Sequence, residues 1–157
     1  SKIYAITTDS SPRKFSAYVV ENGIINSAYD SPYHGDYMMT PYFKISPDGN
    51  YLFNGYGHFF RSTINQKTDM QFAGTMDDFM SIAFNLNNKT FYTVPIDFPD
   101  FVVEYNYDTL DLESVYETYG DTVKLFHQND QIFVITEIFI NKKWHYALER
   151  IPLNDLK

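Results

Sequence analysis

The sequence predicts an all-β fold built from repeated units of four short antiparallel strands. An apolar hairpin returns along the chain, with turns that begin at Ser46, Asn85 and His127, so that successive turns lie 39 and 42 residues apart. A period in this range is typical of a repeat architecture. The composition also favours β-strands. The chain has 14 Tyr, 14 Phe and one Trp, and aromatic residues are enriched in strands because they suit a pleated, half-buried surface.

Reading outward from each hairpin predicts two complete units. The second unit is expected to have strands over about 42–46, 50–55, 58–65 and 70–74, and the third over about 81–85, 90–95, 100–107 and 112–118. The third strand of the third unit alternates clearly, since Phe101, Val103 and Tyr105 share one face while Glu104 and Asn106 point the other way.

Both ends of the chain predict units of three strands. Strands are expected over about 2–7, 15–21 and 24–29 at the start, with the second and third joined by a tight turn at Asn22-Gly23. At the other end they are expected over about 123–126, 131–140 and 143–152. We therefore expect fourteen strands and no helix, in a single domain over 1–157 whose units span about 1–30, 41–75, 80–119 and 122–153.

The turn Ser46-Pro47-Asp48-Gly49-Asn50 carries a family resemblance. Proline presets φ at the first turn position, and Asp-Gly tolerates a tight reversal before the next apolar strand. The segment resembles the same turn in bacterial β-propellers of the TolB-like and YVTN (YncE-like) type. The resemblance implies propeller blades, about three and a half of them, in an incomplete ring. The chain lacks the Trp-Asp dipeptide of WD40 repeats.

An incomplete ring has a consequence for association. Propellers usually have four to eight blades, and an open arc exposes sheet edges and an apolar blade-packing face, which stable monomers avoid. We therefore expect this chain to be completed by the remaining blades of a longer chain or by self-association.

Charge and composition exclude several classes of protein. The net charge is −8, from 12 Lys and Arg against 20 Asp and Glu, which argues against nucleic-acid binding because phosphates need clustered basic residues. It fits either an acidic surface without a ligand or affinity for cations or basic partners. There is no cysteine for disulfides or thiolate metal sites, no apolar run long enough to insert into a membrane, and no motif for a metal or cofactor.

The predicted blades sort the loops into two sets. Loops at about 8–14, 30–41, 55–58, 75–80, 95–100, 119–122 and 140–143 are expected to share one face, where such folds usually bind ligands, and 8 of the 14 Asp lie in or beside these loops. Asp also favours turns for conformational reasons alone, so that alternative stays open. The candidate ligand-binding residues are His34, Asp36, Tyr37, Tyr56, His58, Asp77, Asp78, Asp97, Asp100 and Asp121.

The leading functional hypothesis is a non-catalytic scaffold that presents these loops to a protein or glycan, in a bacterial secreted or envelope setting by analogy with the resembling families. The alternative is a fragment of a propeller enzyme of the lactonase, glycosidase or lyase type. That alternative needs convergent side chains, for which the candidates are His34, Asp36, His58 and Asp78. A purely structural domain is a third possibility.

Overall fold

A computed structural model describes residues 1–151 of the chain. Within these residues the regular elements are fourteen β-strands, joined by turns and loops. Two compact units, Ser1–Asp77 and Asp78 onward, divide the chain, and each contains two antiparallel sheets. The all-β fold class with propeller-type blades is thereby confirmed. The predicted single domain stays a prediction.

Unit 1 contains a three-stranded and a four-stranded sheet. Sheet 1 has the order β1-β2-β3, with β1 at Lys2–Ile6, β2 at Phe15–Glu21 and β3 at Ile24–Asp30. Sheet 2 has the order β4-β5-β6-β7, with the strands at Phe43–Ile45, Tyr51–Asn54, His58–Arg61 and Phe72–Thr75. Each strand pairs with its neighbour in sequence, which is the meander expected of propeller blades.

The Ser46–Asn50 turn between β4 and β5 forms for the reasons visible in its sequence. The Asp48 carboxylate accepts hydrogen bonds from Ser46 Oγ at 2.6 Å and from the backbone N of Asn50 at 3.1 Å. Gly49 has φ of 75°, in the left-handed region that favours glycine. The turn is thus stabilised by its own side chains, which fixes the register of β4 against β5.

Sheets 1 and 2 bury their facing sides against each other. The buried cluster takes Phe15 and Ala17 from β2 and Leu52 and Phe60 from sheet 2, and Met39 and Met70 from the loops complete it. The Phe15 ring meets the Phe43 and Phe60 rings edge-on at centroid distances of 5.0 and 5.5 Å, the geometry that aromatic pairs prefer. The apolar side of each sheet is therefore covered by its neighbour within the unit.

Unit 2 also contains two sheets, but here the four-stranded sheet comes first in the sequence and the three-stranded sheet second. Sheet 3 has the order β11-β10-β9-β8, with β8 to β11 at Phe79–Asn85, Thr90–Pro95, Phe101–Asn106 and Leu112–Glu117. Sheet 4 has the order β12-β13-β14, with the strands at Asp121–Gln128, Gln131–Ile140 and Lys143–Ile151. The buried residues shared by the two sheets are Ala83, Tyr92, Val94, Val102, Leu125, Ile132, Val134 and Ile151.

A half-buried carboxylate organises the tyrosines of sheet 3. Tyr92 Oη donates to Glu104 Oε1 at 2.8 Å, and Tyr116 Oη donates to Glu104 Oε2 at 2.5 Å. Burial, together with the Glu104 carboxylate, raises the pKa of Tyr92 above its usual value. The phenol consequently stays protonated and continues to donate.

One predicted strand is shorter than expected. The strand predicted over about 58–65 ends at Arg61, and residues 62–71 form an irregular loop instead. Asn65 O accepts hydrogen bonds from the backbone N of Thr68 and Asp69, and Met70 takes a positive φ of 54°. The polar run in this loop thus forms local turns rather than a strand. The predicted fourth unit reaches residue 153, and its last two positions lie outside the described residues.

Gly57→Ala is expected to destabilise the protein more than Gly49→Ala. Both glycines have positive φ, 71° and 75°, so each substitution costs about 1–2 kcal/mol from backbone conformation alone. A Cβ at Gly57 would lie 2.1 Å from the carbonyl oxygen of Met76, whereas at Gly49 nothing lies within 4 Å. We expect the free energy of unfolding of Gly57→Ala, measured in urea, to fall by at least about 2 kcal/mol more than that of Gly49→Ala. Equal losses would contradict this close approach.

Candidate binding surface

Two loops of unit 1 bring several of the predicted residues onto one surface. The first loop joins β3 to β4, and the second is the short turn between β5 and β6. We call residues 33–38 and 56–58 the loop surface of unit 1. His34 and Asp36 are exposed on it, and the backbone N of His34 donates to Asp36 Oδ2 at 2.8 Å. The Asp36 carboxylate therefore orders its own loop while it remains accessible.

An aromatic cluster lies at the centre of this surface. The Tyr37 ring stacks on Phe72 at a centroid distance of 4.3 Å and meets the Tyr33 and His58 rings edge-on at 4.9 and 5.4 Å. Tyr33 Oη accepts from the backbone N of Phe72 at 2.9 Å. Tyr37 and His58 are half-buried, so both rings are held in place while part of each faces solvent.

The ionisation of Tyr37 follows from these neighbours. Loss of hydration, with the nearby Tyr33 and Asp36 as further causes, raises the pKa of Tyr37 above its usual value. The phenol is therefore neutral at physiological pH and offers a hydrogen-bond donor rather than a negative charge.

Tyr56 belongs to this surface, and Asp77 borders it. The backbone N of Tyr56 donates to Asn54 Oδ1 at 3.2 Å. The carbonyl oxygen of Gly57 accepts from the backbone N of Met76 at 2.9 Å, which brings the exposed Asp77 beside the β5–β6 turn. Six of the ten predicted residues thus belong to unit 1.

The other four predicted residues lie on loops of unit 2. Thr118 N donates to Asp100 O at 2.8 Å, Thr122 N to Pro99 O at 2.6 Å, and Ile96 N to Asp78 O at 3.2 Å. Asp78, Asp97 and Asp121 are exposed and Asp100 is half-buried. Asp121 lies opposite Glu137 in the register of β12 and β13, so the loops of this unit carry a negative charge at their edge.

Sequence reasoning missed a buried, fully hydrogen-bonded polar group of unit 1, which we call the Asp69 cluster. The side chain of Asp69, in the β6–β7 loop, is fully buried and receives four hydrogen bonds. Lys2 Nζ and Tyr29 Oη donate to Oδ2 at 2.9 and 2.7 Å, and Tyr4 Oη and the backbone N of Thr63 each donate to Oδ1 at 2.8 Å. The cluster therefore joins sheet 1 to a loop of sheet 2.

The charges of the Asp69 cluster support each other. Burial by itself raises the pKa of the Asp69 carboxyl, but the hydrogen bonds from Lys2, Thr63, Tyr29 and Tyr4 outweigh it and hold the pKa below its usual value. Burial likewise disfavours the charge of Lys2, and its interactions with Tyr29 and Asp69 nevertheless raise the pKa of the ammonium. Asp69 and Lys2 are therefore an ion pair over the whole physiological range of pH.

Two open grooves lie on either side of the Asp69 cluster. One has a volume of about 530 Å³ and the other about 560 Å³. The first is lined by Lys2, Tyr4, Ile45, Gly49, Asn50, Ser62, Thr63 and Ile64, and the second by Tyr29, Asp30, Pro32, Asn65, Gln66, Lys67, Asp69 and Gln71. Both grooves border the β6–β7 loop rather than the loop surface that the sequence favoured.

The chemistry available differs between these places. Asp69 receives four donors, so its oxygens are occupied in holding the two sheets together.

Within residues 1–151, no three His, Asp or Glu side chains lie close enough to hold a metal ion, and no helix there is long and apolar enough to cross a membrane. The loop surface of unit 1, with ordered aromatic rings and accessible polar groups, is suited to binding.

Comparison with protein-family models and with curated proteins finds no match. Among solved structures, the chain is similar to the structure of U3-55K, with a TM-score of 0.54 and 15% identity over 85% of this chain and 45% of that one. It also matches the Neurospora crassa Pan2 WD40 domain, with a TM-score of 0.47 and 8% identity over 84% and 43% of the two chains. A third match is the Myceliophteria thermophila Cps50 (Swd1) beta-propeller domain, with a TM-score of 0.45 and 9% identity over 68% and 37%.

The chain spans less than half the length of each of these solved chains. At such low identity the likeness to U3-55K shows a shared fold and nothing about function. The matches do not single out the TolB-like or YVTN type.

Asp69→Asn is expected to lower the free energy of unfolding by about 3 kcal/mol, because it leaves the partly buried Lys2 without its counter-charge. Since the pKa of Asp69 is lowered in the folded state, its contribution is complete above the unfolded pKa of about 3.9 and is lost as pH falls through the folded value. Urea titrations at several pH values should therefore show wild-type stability falling below about pH 4, with a shallower decline in Asp69→Asn.

Lys2→Met is the matched partner substitution. If the ion pair forms in solution, the double variant Lys2→Met/Asp69→Asn loses clearly less than the sum of the two single losses, because each single change leaves the other group unpaired. Strict additivity would show that the two side chains do not interact in solution.

Proposed function

We propose that the chain is a non-catalytic binding scaffold of the β-propeller type, and that the loop surface of unit 1 contacts a protein ligand. The observation that carries this proposal is the aromatic cluster of Tyr33, Tyr37, His58 and Phe72, whose rings are fixed by mutual contacts and yet partly exposed. Aromatic side chains fixed before binding lose little conformational entropy and are enriched among the residues that dominate protein interfaces.

The surroundings of the cluster support a protein ligand. Met38 is 69% exposed beside Tyr37, and methionine adapts to the shape of an apolar partner. Asp36 and Asp77 place negative charges at the border, in a chain whose net charge is −8. A segment with an apolar centre and Lys or Arg on either side matches this pattern best.

The arrangement of the histidines favours binding over catalysis. His34 meets Asp36 through its backbone N and not through the imidazole, whereas an acid–base pair needs a contact between the two titrating groups. His58 packs edge-on against the Tyr37 ring, which supports a role in shaping the surface.

We also propose a partner for the three-stranded sheets of the described residues. The sheets at both ends have three strands within the described residues, and large apolar side chains are exposed on each, such as Ile24 and Ile25 on sheet 1 and Tyr146 and Leu148 on sheet 4. We propose that these faces are covered by further blades or by a second copy of the chain.

Selection from a random library tests the loop surface, because it requires no candidate ligand. We expect random peptides, displayed on phage and selected on the immobilised chain, to yield sequences with apolar centres and basic flanks. The double variant Asp36→Lys/Met38→Ser should weaken their binding, measured by calorimetry, by about tenfold or more, since it reverses a charge that faces the basic flanks of the peptide and removes an exposed apolar contact beside the aromatic cluster.

Ile64→Ser is the matched control for this experiment. Ile64 is fully exposed on the β6–β7 loop, away from the loop surface, and its substitution should leave peptide affinity within about twofold. Equal losses in the control and the double variant, or ligands found on a glycan array and none among peptides, would contradict a protein ligand at this surface.

A further inference from the structure

The last strand of sheet 4 has a free edge within the described residues. Sheet 4 has the order β12-β13-β14, whereas sheets 2 and 3 each have four strands. One side of β14 pairs with β13 over its whole length, from Lys143 opposite Ile140 to Ile151 opposite Ile132. The other side presents backbone N–H and C=O groups, which makes an exposed edge a template for pairing with another strand.

The outer face of β14 is apolar and exposed. Trp144, Tyr146 and Leu148 are 59%, 70% and 65% exposed, and they share one face because side chains alternate along a strand. The Trp144 ring packs on that of Phe139, its partner on β13, at 5.0 Å. On the opposite face, Ile151 belongs to the buried cluster. Exposed aromatic and aliphatic side chains along an open edge mark an interaction surface.

The sequence of β14 is complementary to itself. We propose that β14 pairs antiparallel with β14 of a second copy of this chain, about a two-fold axis that passes at Tyr146. This register places Trp144 opposite Leu148, His145 opposite Ala147, and Tyr146 opposite its own symmetry mate. It also places Lys143 opposite Glu149 at both ends, so that the pairing forms two ion pairs between the copies.

The charge pattern favours a second copy over an unrelated partner. A two-fold interface requires that each residue of a strand match its own counterpart. The pair of Lys143 and Glu149 meets this condition in charge, and Trp144, Tyr146 and Leu148 meet it in apolarity. Glu149 is fixed in place, because its carboxylate accepts from Thr136 Oγ1 at 2.5 Å and from the backbone N of Tyr119 at 3.1 Å. The next pair outward, Lys142 with Arg150, carries like charges, so the match ends at Lys143 and Glu149.

A single cysteine tests this register directly, since the chain contains none. Directly opposed Cβ atoms in an antiparallel pair lie about 4.5–5.5 Å apart, close to the separation that a disulfide needs. Under mild oxidation Tyr146→Cys should form a disulfide-linked dimer at least about tenfold faster than Trp144→Cys, whose partner is Leu148. Combining Trp144→Cys with Leu148→Cys should restore the fast rate.

Ile64→Cys serves as the control for random collision, because Ile64 is fully exposed and distant in sequence from β14. Cross-linking of Ile64→Cys as fast as that of Tyr146→Cys would overturn the proposed pairing.

Sedimentation equilibrium of the unmodified 157-residue chain gives an independent test. A short strand interface lies near the lower limit of specific association, so we expect a reversible dimer that dissociates at micromolar concentrations. Tyr146→Arg places two like charges against each other at the axis and should remain monomeric throughout, while Lys143→Glu, which opposes Glu149, should weaken the dimer by about tenfold. Ile64→Arg should dimerise like the wild type.

Urea unfolding of each variant checks that the fold is intact, since all the substituted side chains are exposed. A wild type that stays monomeric at several hundred micromolar, or that dimerises equally well with Tyr146→Arg, would show that β14 is not the interface between copies.

Discussion

A single β-sheet of this chain can bury its apolar side only against another sheet, and most of the structure follows from that constraint. In unit 1 the side chains of Phe15 and Phe60 meet between sheets 1 and 2, and in unit 2 Val94 and Leu125 belong to the same cluster between sheets 3 and 4. Each sheet has a second side, and on the sheets at the two ends of the chain that side carries exposed apolar residues. This exposed apolar surface is the reason that we propose a further covering partner for sheets 1 and 4.

The two units satisfy the polar groups between their strands in the same way. Asp69 in unit 1 accepts from the hydroxyls of Tyr4 and Tyr29, and Glu104 in unit 2 accepts from those of Tyr92 and Tyr116. Tyrosine can fill space between strands with its ring and still satisfy a carboxylate with its tip. Four of the 14 tyrosines thus have a structural role, apart from any role in binding.

The blade pattern could be predicted from the sequence because its determinants are local. The Ser46–Asn50 turn holds itself together through Asp48, and Val103 and Tyr105, which the alternation places on one face of β10, are both buried. The end of β6 could not be predicted, because the loop that follows depends on Asp69, whose partner Lys2 lies 67 residues away. No local pattern marks such a pair, and an isolated Asp before an apolar strand was the one available sign.

In the candidate site, too, local features could be predicted from the sequence and long-range contacts could not. Ten residues are predicted to lie on loops of one face. In the structure, His34 contacts Asp36 within a single loop, and Tyr37 contacts His58 because their two loops are neighbours in unit 1. The amino-acid sequence alone does not predict that the Tyr37 ring stacks on Phe72, because the two residues lie far apart in the chain. This contact holds the surface in place. Rigidity matters more than residue type here, since a flexible tyrosine would have to be ordered on binding.

Association through β14 would change how the loop surface of unit 1 acts. A dimer carries two copies of that surface, and for a ligand with two epitopes the second binding event becomes intramolecular. Avidity would then compensate for a weak individual contact, provided that the spacing of the epitopes matches that of the two surfaces. Tyr146→Arg consequently lowers the apparent affinity for a divalent ligand and leaves that for a single peptide unchanged, so the edge strand would determine binding strength without touching the ligand.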